Sequence, residues 1–548
     1  MKSPVSNQKR PNIVWIISDD TSHAELGCYG GRILSPNIDS IAANGVRFEN
    51  FHCVSIACAP SRYNYLTGHY GGRCPADSFR GEIPEGESYS LHFNTNIDPD
   101  RETTIARVFQ DDGYFTGFTG KWHTGSGAAD VSFAKKLPKS ADPRDPAVGA
   151  ALREQQQRFS EIIRRCGFDY AEHIIWGNHE TLPTAVCHHN VEYTAKGALN
   201  FLDQAAQRDQ PFFLHLATNT MHAPDHATSL MADPRLTAEG FTDEHMGCMP
   251  PRTTIYERIT NAGLDFNHIT AGVLWMDDCV GAVLDRVRAM GVENDTIIFF
   301  STDHAPVGGK FTLYQPGVRI PLVMQWKNRI PKKKTINVLA QTVDLAPTLC
   351  GFAGVNPPES MALDGMNLAP VIEGSSENIE RDELYFEYGY QRGLRRGKWK
   401  YIAWRLPERL LDKMKRSEVA FYDMLGKPVD PDNIKPTVIV PSVPRHPHFF
   451  EPDQLYDLES DPDEKINLAE APGHAAALAD IRARLQEILD TFDDPFNVTD
   501  PVDAFYYSDQ FKKSVATVRR TYDRLHDEWI KGKGRISGMV PYVDPDLP

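Results

Sequence analysis

Asn12-Ile13-Val14-Trp15-Ile16-Ile17-Ser18 runs directly into Asp19-Asp20. A short apolar run rich in β-branched residues, closed by an acidic pair, reads as a parallel strand buried on both faces. Ser35-Pro36 then opens a helix through Ala43, with serine as N-cap, proline in the first turn and Gly45 closing it. A helix over 104–110 precedes a strand over 114–118; 212–217 and 296–301 are further apolar strands, and a long amphipathic helix over about 269–290 leads into the last. Helices alternating with buried strands predict an α/β fold whose mainly parallel sheet is flanked by helices.

Near residue 375 the texture changes. Segments 383–390, 399–403 and 454–458 read as short strands with solvent on one face, and a helix over about 474–491 carries Leu478, Ile481, Leu485, Ile488 and Leu489 on one side. A smaller C-terminal α+β subdomain with an antiparallel sheet accounts for this pattern. The expected division is 1–375 for the catalytic unit, 376–492 for the subdomain and 493–548 for a tail that wraps the body or reaches a second copy in a homo-oligomer.

The 548 residues carry a net charge of −16, which excludes nucleic acid as a general partner because phosphate backbones call for a basic face. Nine cysteines, at 28, 53, 58, 74, 166, 187, 248, 279 and 350, are scattered without paired spacing, so neither a disulfide framework nor a Cys-x-x-Cys zinc site is expected. The apolar run Ile13–Ile17 is too short for a signal segment and no run reaches transmembrane length. The chain as written reads as cytoplasmic with no membrane partner, or as periplasmic or secreted if an export signal has been removed.

Open α/β sheets place reactive groups just past the carboxyl ends of their strands. Asp19-Asp20 and Asp303-His304 both lie there. Either pair alone can be a loop cap; together they can converge on one hard cation. Lys121 and His123, two apart in an extended segment, point to the same side. His222 precedes Ala223-Pro224, and Lys310 follows Gly309. Cys58-Ala59-Pro60-Ser61-Arg62, followed by Leu66-Thr67-Gly68, is a short motif whose bland alternative is a buried turn cysteine.

Taken in order, these blocks resemble the type I sulfatases of the alkaline phosphatase superfamily. The cysteine motif is similar to that family's C-x-P-S-R signature, Gly120 to Gly125 to its G-K-W-H-x-G segment, and Gly309 to Tyr314 to its G-K-x-T-L-Y block, which Gly317, Arg319 and Pro321 continue. Ser35 to Asp39, Gly45 to Phe48, Asp344 to Thr348, and Leu455 to Leu458 with Asp461-Pro462 and Glu464 resemble further recurrent segments. The likeness spans about 11–490.

The resemblance implies an alkaline-phosphatase-like fold and sulfate ester hydrolysis. Cys58 would be oxidised to formylglycine by a formylglycine-generating enzyme, and its hydrated aldehyde would be the nucleophile. Asp19, Asp20, Cys58, Asp303 and His304 would hold one divalent ion, Ca²⁺ by preference over Mn²⁺ or Mg²⁺. Lys121, His222 and Lys310 would contact the sulfate and leaving group, His123 would lie near the diol, and Arg62 and Thr67 would support the turn. His304 stands where many relatives have asparagine, and nitrogen ligands suit Mn²⁺ better than Ca²⁺. His226, Arg80 and Arg319 are offered as pocket residues. The nearest alternative is a phosphonate monoester or phosphodiester hydrolase, against which Asp20 speaks because those relatives often carry glutamine there. A sulfated-glycan binder with unmodified Cys58 belongs to a different class.

Overall fold

The computed structural model describes residues 10–531 apart from 82, 126–136, 180, 181, 307, 432 and 435–438, so the first residues and the end of the expected tail, 532–548, lie outside it. Eight strands make the large sheet: β1 (Asn12–Ser18), β2 (Val46–Phe48), β3 (Phe115–Lys121), β4 (Tyr170–Ile175), β5 (Phe212–Ala217), β6 (Thr296–Thr302), β7 (Leu322–Gln325) and β8 (Lys334–Ile336), in the order β8-β2-β7-β6-β1-β5-β3-β4. From β6 through β1 and β5 to β3 and β4 every pairing is parallel, whereas β7 runs antiparallel to both β6 and β2. The sheet is therefore mainly parallel, as the alternation of elements implied.

Residue parity along β1 divides the core. Ile13, Trp15 and Ile17 pack on one face, Val14 and Ile16 on the other, and all five are fully buried. The second face is covered by α1 (Pro36–Ala43), α3 (Val191–Ala205) and α4 (His268–Ala289). The first receives α2 (Cys58–Thr67), through Tyr63, Tyr65 and Leu66. Every residue of α2 is buried, including Arg62, and Gly68 ends it in the left-handed conformation at φ 72°. Only glycine adopts that conformation without steric cost.

A second sheet follows, β9 (Glu383–Tyr388), β10 (Gln391–Arg396), β11 (Trp399–Trp404) and β12 (Asp453–Asp457), antiparallel in that order. Here the expectation of a solvated face fails. Tyr385, Leu394, Tyr401 and Leu455 pack under α5 (Ala475–Leu489), while Leu384, Phe386, Ile402 and Tyr456 join the core of the large sheet. Both faces are covered because the sheet is a wall between its helix and the α/β body. The tail contributes α6 (Asp509–Ile530), which lays Phe511, Val518, Tyr522, Leu525 and Trp529 onto the chain's own main core. Among the described residues no helix is long and apolar enough to cross a membrane.

Candidate active site

Strand order carries the site. β1 lies between β5 and β6, so the residues just past their carboxyl ends emerge side by side. The Asp19 amide donates to Thr220 O at 3.0 Å and the Asp303 amide to Ser18 O at 3.2 Å, which ties the three exits together. β3 ends at Lys121 beside them, and α2 aims its first residue, Cys58, into the same spot.

Around the Cys58 thiol the groups converge closely. Its Sγ lies 3.5 Å from Asp19 Oδ1, 3.3 Å from His304 Nε2, 3.7 Å from Lys121 Nζ and 4.0 Å from Lys310 Nζ. Asp19, Cys58, Asp303 and His304, all buried, offer four ligand atoms within 4.8 Å of one another. His304 Nδ1 donates to Ala305 O at 2.9 Å, which turns the Nε2 lone pair toward Cys58 Sγ, 3.3 Å away. Two carboxylates, one imidazole lone pair and the Cys58 position fit a divalent cation. Asp20 stands just beside this group: Lys310 Nζ donates to both of its oxygens, at 2.9 and 2.8 Å, and Oδ1 is 3.1 Å from His304 Nδ1.

Arg62 explains its complete burial by its partners. Its Nε and Nη2 both donate to Asp303 Oδ2 at 3.2 Å, and Nη1 donates to Lys121 O at 2.8 Å. The guanidinium thus fixes a carboxylate and the end of β3 at once. Lys121 Nζ donates to Asp19 Oδ2 and, at 2.8 Å, to Asn178 Oδ1. Thr67 sits apart, donating to Tyr63 O within its own helix at 2.8 Å.

The electrostatics follow from burial and pairing. Burial alone would raise the Asp19 carboxyl, but Lys121, His222, Arg62 and Lys310 outweigh it and hold it well below the usual range. Asp20 is lowered against its burial chiefly by Lys310 and His304. Asp303 is raised, by burial and then by Asp19. Burial and Asp19 push the Cys58 thiol up, so an unmodified cysteine here is a protonated, poorly nucleophilic thiol. Burial and the two lysines bring His222 down to about 4, and burial with Lys121 and Arg62 holds His123 well below its ordinary value. His222 Nδ1 contacts Ala223 O at 3.1 Å, while His123 Nδ1 has no hydrogen-bond partner among the described residues.

Three sequence guesses belong elsewhere. His226 is buried in a stack with His189 and His268, with ring centroids 4.2 and 4.7 Å apart. Arg319 is occupied by Glu49, and Arg80 by Cys74 O and Asp493. Basic type and proximity in sequence to a motif did not determine direction. Asn178, which holds Lys121, was missed. It lies just past β4, so the rule that found Asp19 and Asp303 extends to it.

The sulfatase family profile matches residues 11–355, and the profile of the N-sulphoglucosamine sulphohydrolase C-terminal region matches 308–435. Arylsulfatase A of Homo sapiens is 27% identical over 519 residues, covering 87% of each chain. An N-acetylgalactosamine-6-O-sulfatase of Bacteroides thetaiotaomicron is 23% identical, covering 84% of this chain and 90% of its own. Among solved structures, one in complex with D-glucosamine-2-N,6-O-disulfate superimposes with a TM-score of 0.56 at 20% identity, covering 89% of this chain and 99% of its own. At that identity the likeness is one of fold.

Proposed function

Because this chain belongs to the sulfatase family, it is a sulfuric ester hydrolase, and we propose that its nucleophile is a hydrated formylglycine made by oxidising Cys58. The observation that carries this is the contrast at position 58. Two ammonium groups, an imidazole and a carboxylate converge on a thiol that burial keeps protonated. A gem-diol at the same atom position uses that environment, whereas a thiol does not.

Asp19, Asp20, Asp303 and His304, with the residue at 58, would hold one divalent cation. Oxygen-rich donors favour Ca²⁺. When bound, the ion supplies Lewis acidity that makes a hydroxyl nucleophilic at neutral pH. The remaining work falls to side chains. Lys121 and Lys310, the cations nearest position 58, bind the sulfate oxygens and offset charge as sulfur is attacked. Arg62 keeps Asp303 and the Lys121 backbone in register. His222 is neutral beside two lysines; a bound sulfate anion offsets them, and the imidazole then carries the proton it gives from Nε2 to the departing oxygen. His123, neutral and with Nδ1 unpartnered among the described residues, accepts the proton whose loss releases sulfate. We place these steps in the unit 1–375, with 376–492 and the tail from 493 as its support, and take a formylglycine-generating enzyme as the partner in maturation.

Peptide mass spectrometry across Cys58, paired with kinetics on sulfate and phosphate esters of one aryl alcohol, tests the proposal. Formylglycine at 58 and faster sulfate turnover are expected. Cysteine alone in active native protein, or faster phosphodiester turnover, would overturn it.

A further inference from the structure

Eight described residues other than glycine have positive φ, and four of them belong to the segments that build the site: Asp20 (58°), His123 (53°), Met221 (75°) and Phe311 (64°). Left-handed backbone is sparsely populated for residues with a side chain and gathers where geometry is imposed by function. Asp20 and His123 have roles above, and Met221 precedes His222. Phe311 has none, and it immediately follows Lys310.

The Phe311 ring lies 5.6 Å from Lys310 Nζ and stacks on buried Tyr388 at 5.3 Å with planes 5° apart. At right angles to it, 6.1 Å away, stands Phe93. Phe93 in turn stacks on His123, 5.5 Å between centroids and 25° between planes. Although it touches two site segments, Phe93 is 41% exposed, one of few large apolar side chains so placed. Its exposure is not that of a loose loop: Asn96 Nδ2 donates to Ser78 Oγ at 2.7 Å, and the Ile97 amide to Thr124 O at 2.9 Å. Two aromatic planes at 90°, Phe93 against His123 and Phe311 beside Lys310, thus link the site segments to an exposed edge.

A sulfate ester whose anionic end reaches Lys121 and Lys310 carries its alcohol outward past these groups. Aromatic faces set at right angles receive a flat or chair-shaped ring with an apolar face, and give an acyclic chain much less contact. We propose that Phe93 and Phe311, beside His123, form the leaving-group subsite and select sulfate esters carried by a six-membered ring, aryl or pyranose, over acyclic alkyl sulfates. This rests on the sulfatase reading of the same centre.

The test uses the full formylglycine-bearing protein with 4-nitrophenyl sulfate, a pyranose monosulfate and an acyclic alkyl sulfate, and with inorganic sulfate as competitive inhibitor. Phe93→Ala should raise KM for ring esters about tenfold with little change in kcat, as loss of one stacked aromatic contact implies. The inhibition constant of inorganic sulfate should not move, and Phe93→Tyr should restore KM. A KM effect on the aryl ester alone or on the pyranose ester alone identifies which ring the corner fits. The subsite is overturned if Phe93→Ala leaves KM for both ring esters within about twofold, if it weakens inorganic sulfate equally, or if wild type prefers the acyclic ester. No turnover of any sulfate ester by wild type, with phosphodiester turnover intact, overturns instead the sulfatase reading, and the subsite with it.

Discussion

Two buried lysine–carboxylate pairs in this chain have similar N···O separations and opposite character. Lys310 Nζ lies 2.8 Å from Asp20 Oδ2 at the site, and Lys400 Nζ lies 2.7 Å from Glu464 Oε1 in the C-terminal sheet; all four side chains are nearly inaccessible. At the site, burial is outweighed: Lys310 is raised by Asp20, Cys58 and Asp19, and Asp20 is lowered. In the sheet, burial prevails. It lowers Lys400, assisted by Arg395, and raises Glu464 against the pull of Lys400. The site pair is one link in a set of three carboxylates and three cations (Asp19, Asp20 and Asp303; Arg62, Lys121 and Lys310), whose pairings outweigh burial at Asp19, Asp20 and Lys310. The sheet pair stands nearly alone, and Glu464 spends its other oxygen on the Gln315 amide at 2.6 Å. Burial and pairing therefore do not separate a reactive centre from a staple. Convergence on one atom does.

Lys310→Ala is expected to give the largest effect. It removes a cation from Asp20 and, on the proposed mechanism, from the sulfate, and kcat/KM should fall about 10³-fold, the scale of a lost preorganised electrostatic contact. The melting temperature should change little, because a divalent cation held by the remaining carboxylates would relieve their repulsion. A melting temperature that collapses in step with activity would make Lys310 a staple and erase the comparison.

Glu464→Gln should do the reverse. It strands Lys400 in the core, at a cost of about 3–5 kcal/mol, while kcat below the melting transition stays within a few-fold of wild type. The further change Lys400→Met should recover most of the loss, since no buried charge then lacks a partner. Thermal melting of the single and double variants, with kinetics at one temperature, reads both quantities. Persistent loss of kcat in the double variant would show that the pair sets the Lys310 segment through Gln315, beyond stability.

The difference between the regions also explains what sequence could show. Asp19, Asp303, Lys121 and Cys58 were legible because strand ends and short motifs fix them locally: a parallel strand that ends in an acidic pair has few other readings. The fold class came from the same alternation of elements. Glu464 and Lys400 lie 64 positions apart in the chain and meet only after a second sheet has packed, so nothing local announces their bond. The covered face of that sheet was misjudged for the same reason. Alternation of side chains reveals two faces, but what lies against each is a tertiary fact. Asn178 falls between these cases, at a strand end but of a residue type too common in loops to stand out. Phe93 carried no local signal, since an exposed phenylalanine gains meaning only from the His123 and Phe311 rings it meets.

The smallest expected effect extends the contrast to groups that burial keeps neutral. His215 is buried against Trp15, Tyr65 and Phe118, and burial, then Arg62, bring it down from 6.5 to about 3. His446, stacked on Tyr314 at 3.6 Å on the C-terminal side, is also brought to about 3, by burial and then Lys465. In the unfolded chain each imidazole takes up a proton below pH 6.5; in the folded chain neither does until about 3. The unfolded state thus binds more protons in that window. Stability is complete above pH 6.5 and declines as pH falls toward 3. His215→Phe keeps the aromatic packing and removes one titrating group, so the slope of stability against pH between about 4 and 6 should shrink by up to one proton. His446→Phe should do the same independently, and the two should add, because they lie in separate parts of the core. Denaturant midpoints measured across that range decide it. An unchanged slope in His215→Phe would mean that the imidazole is already charged in the folded chain, and that the sheet core shares the site's capacity to hold charge.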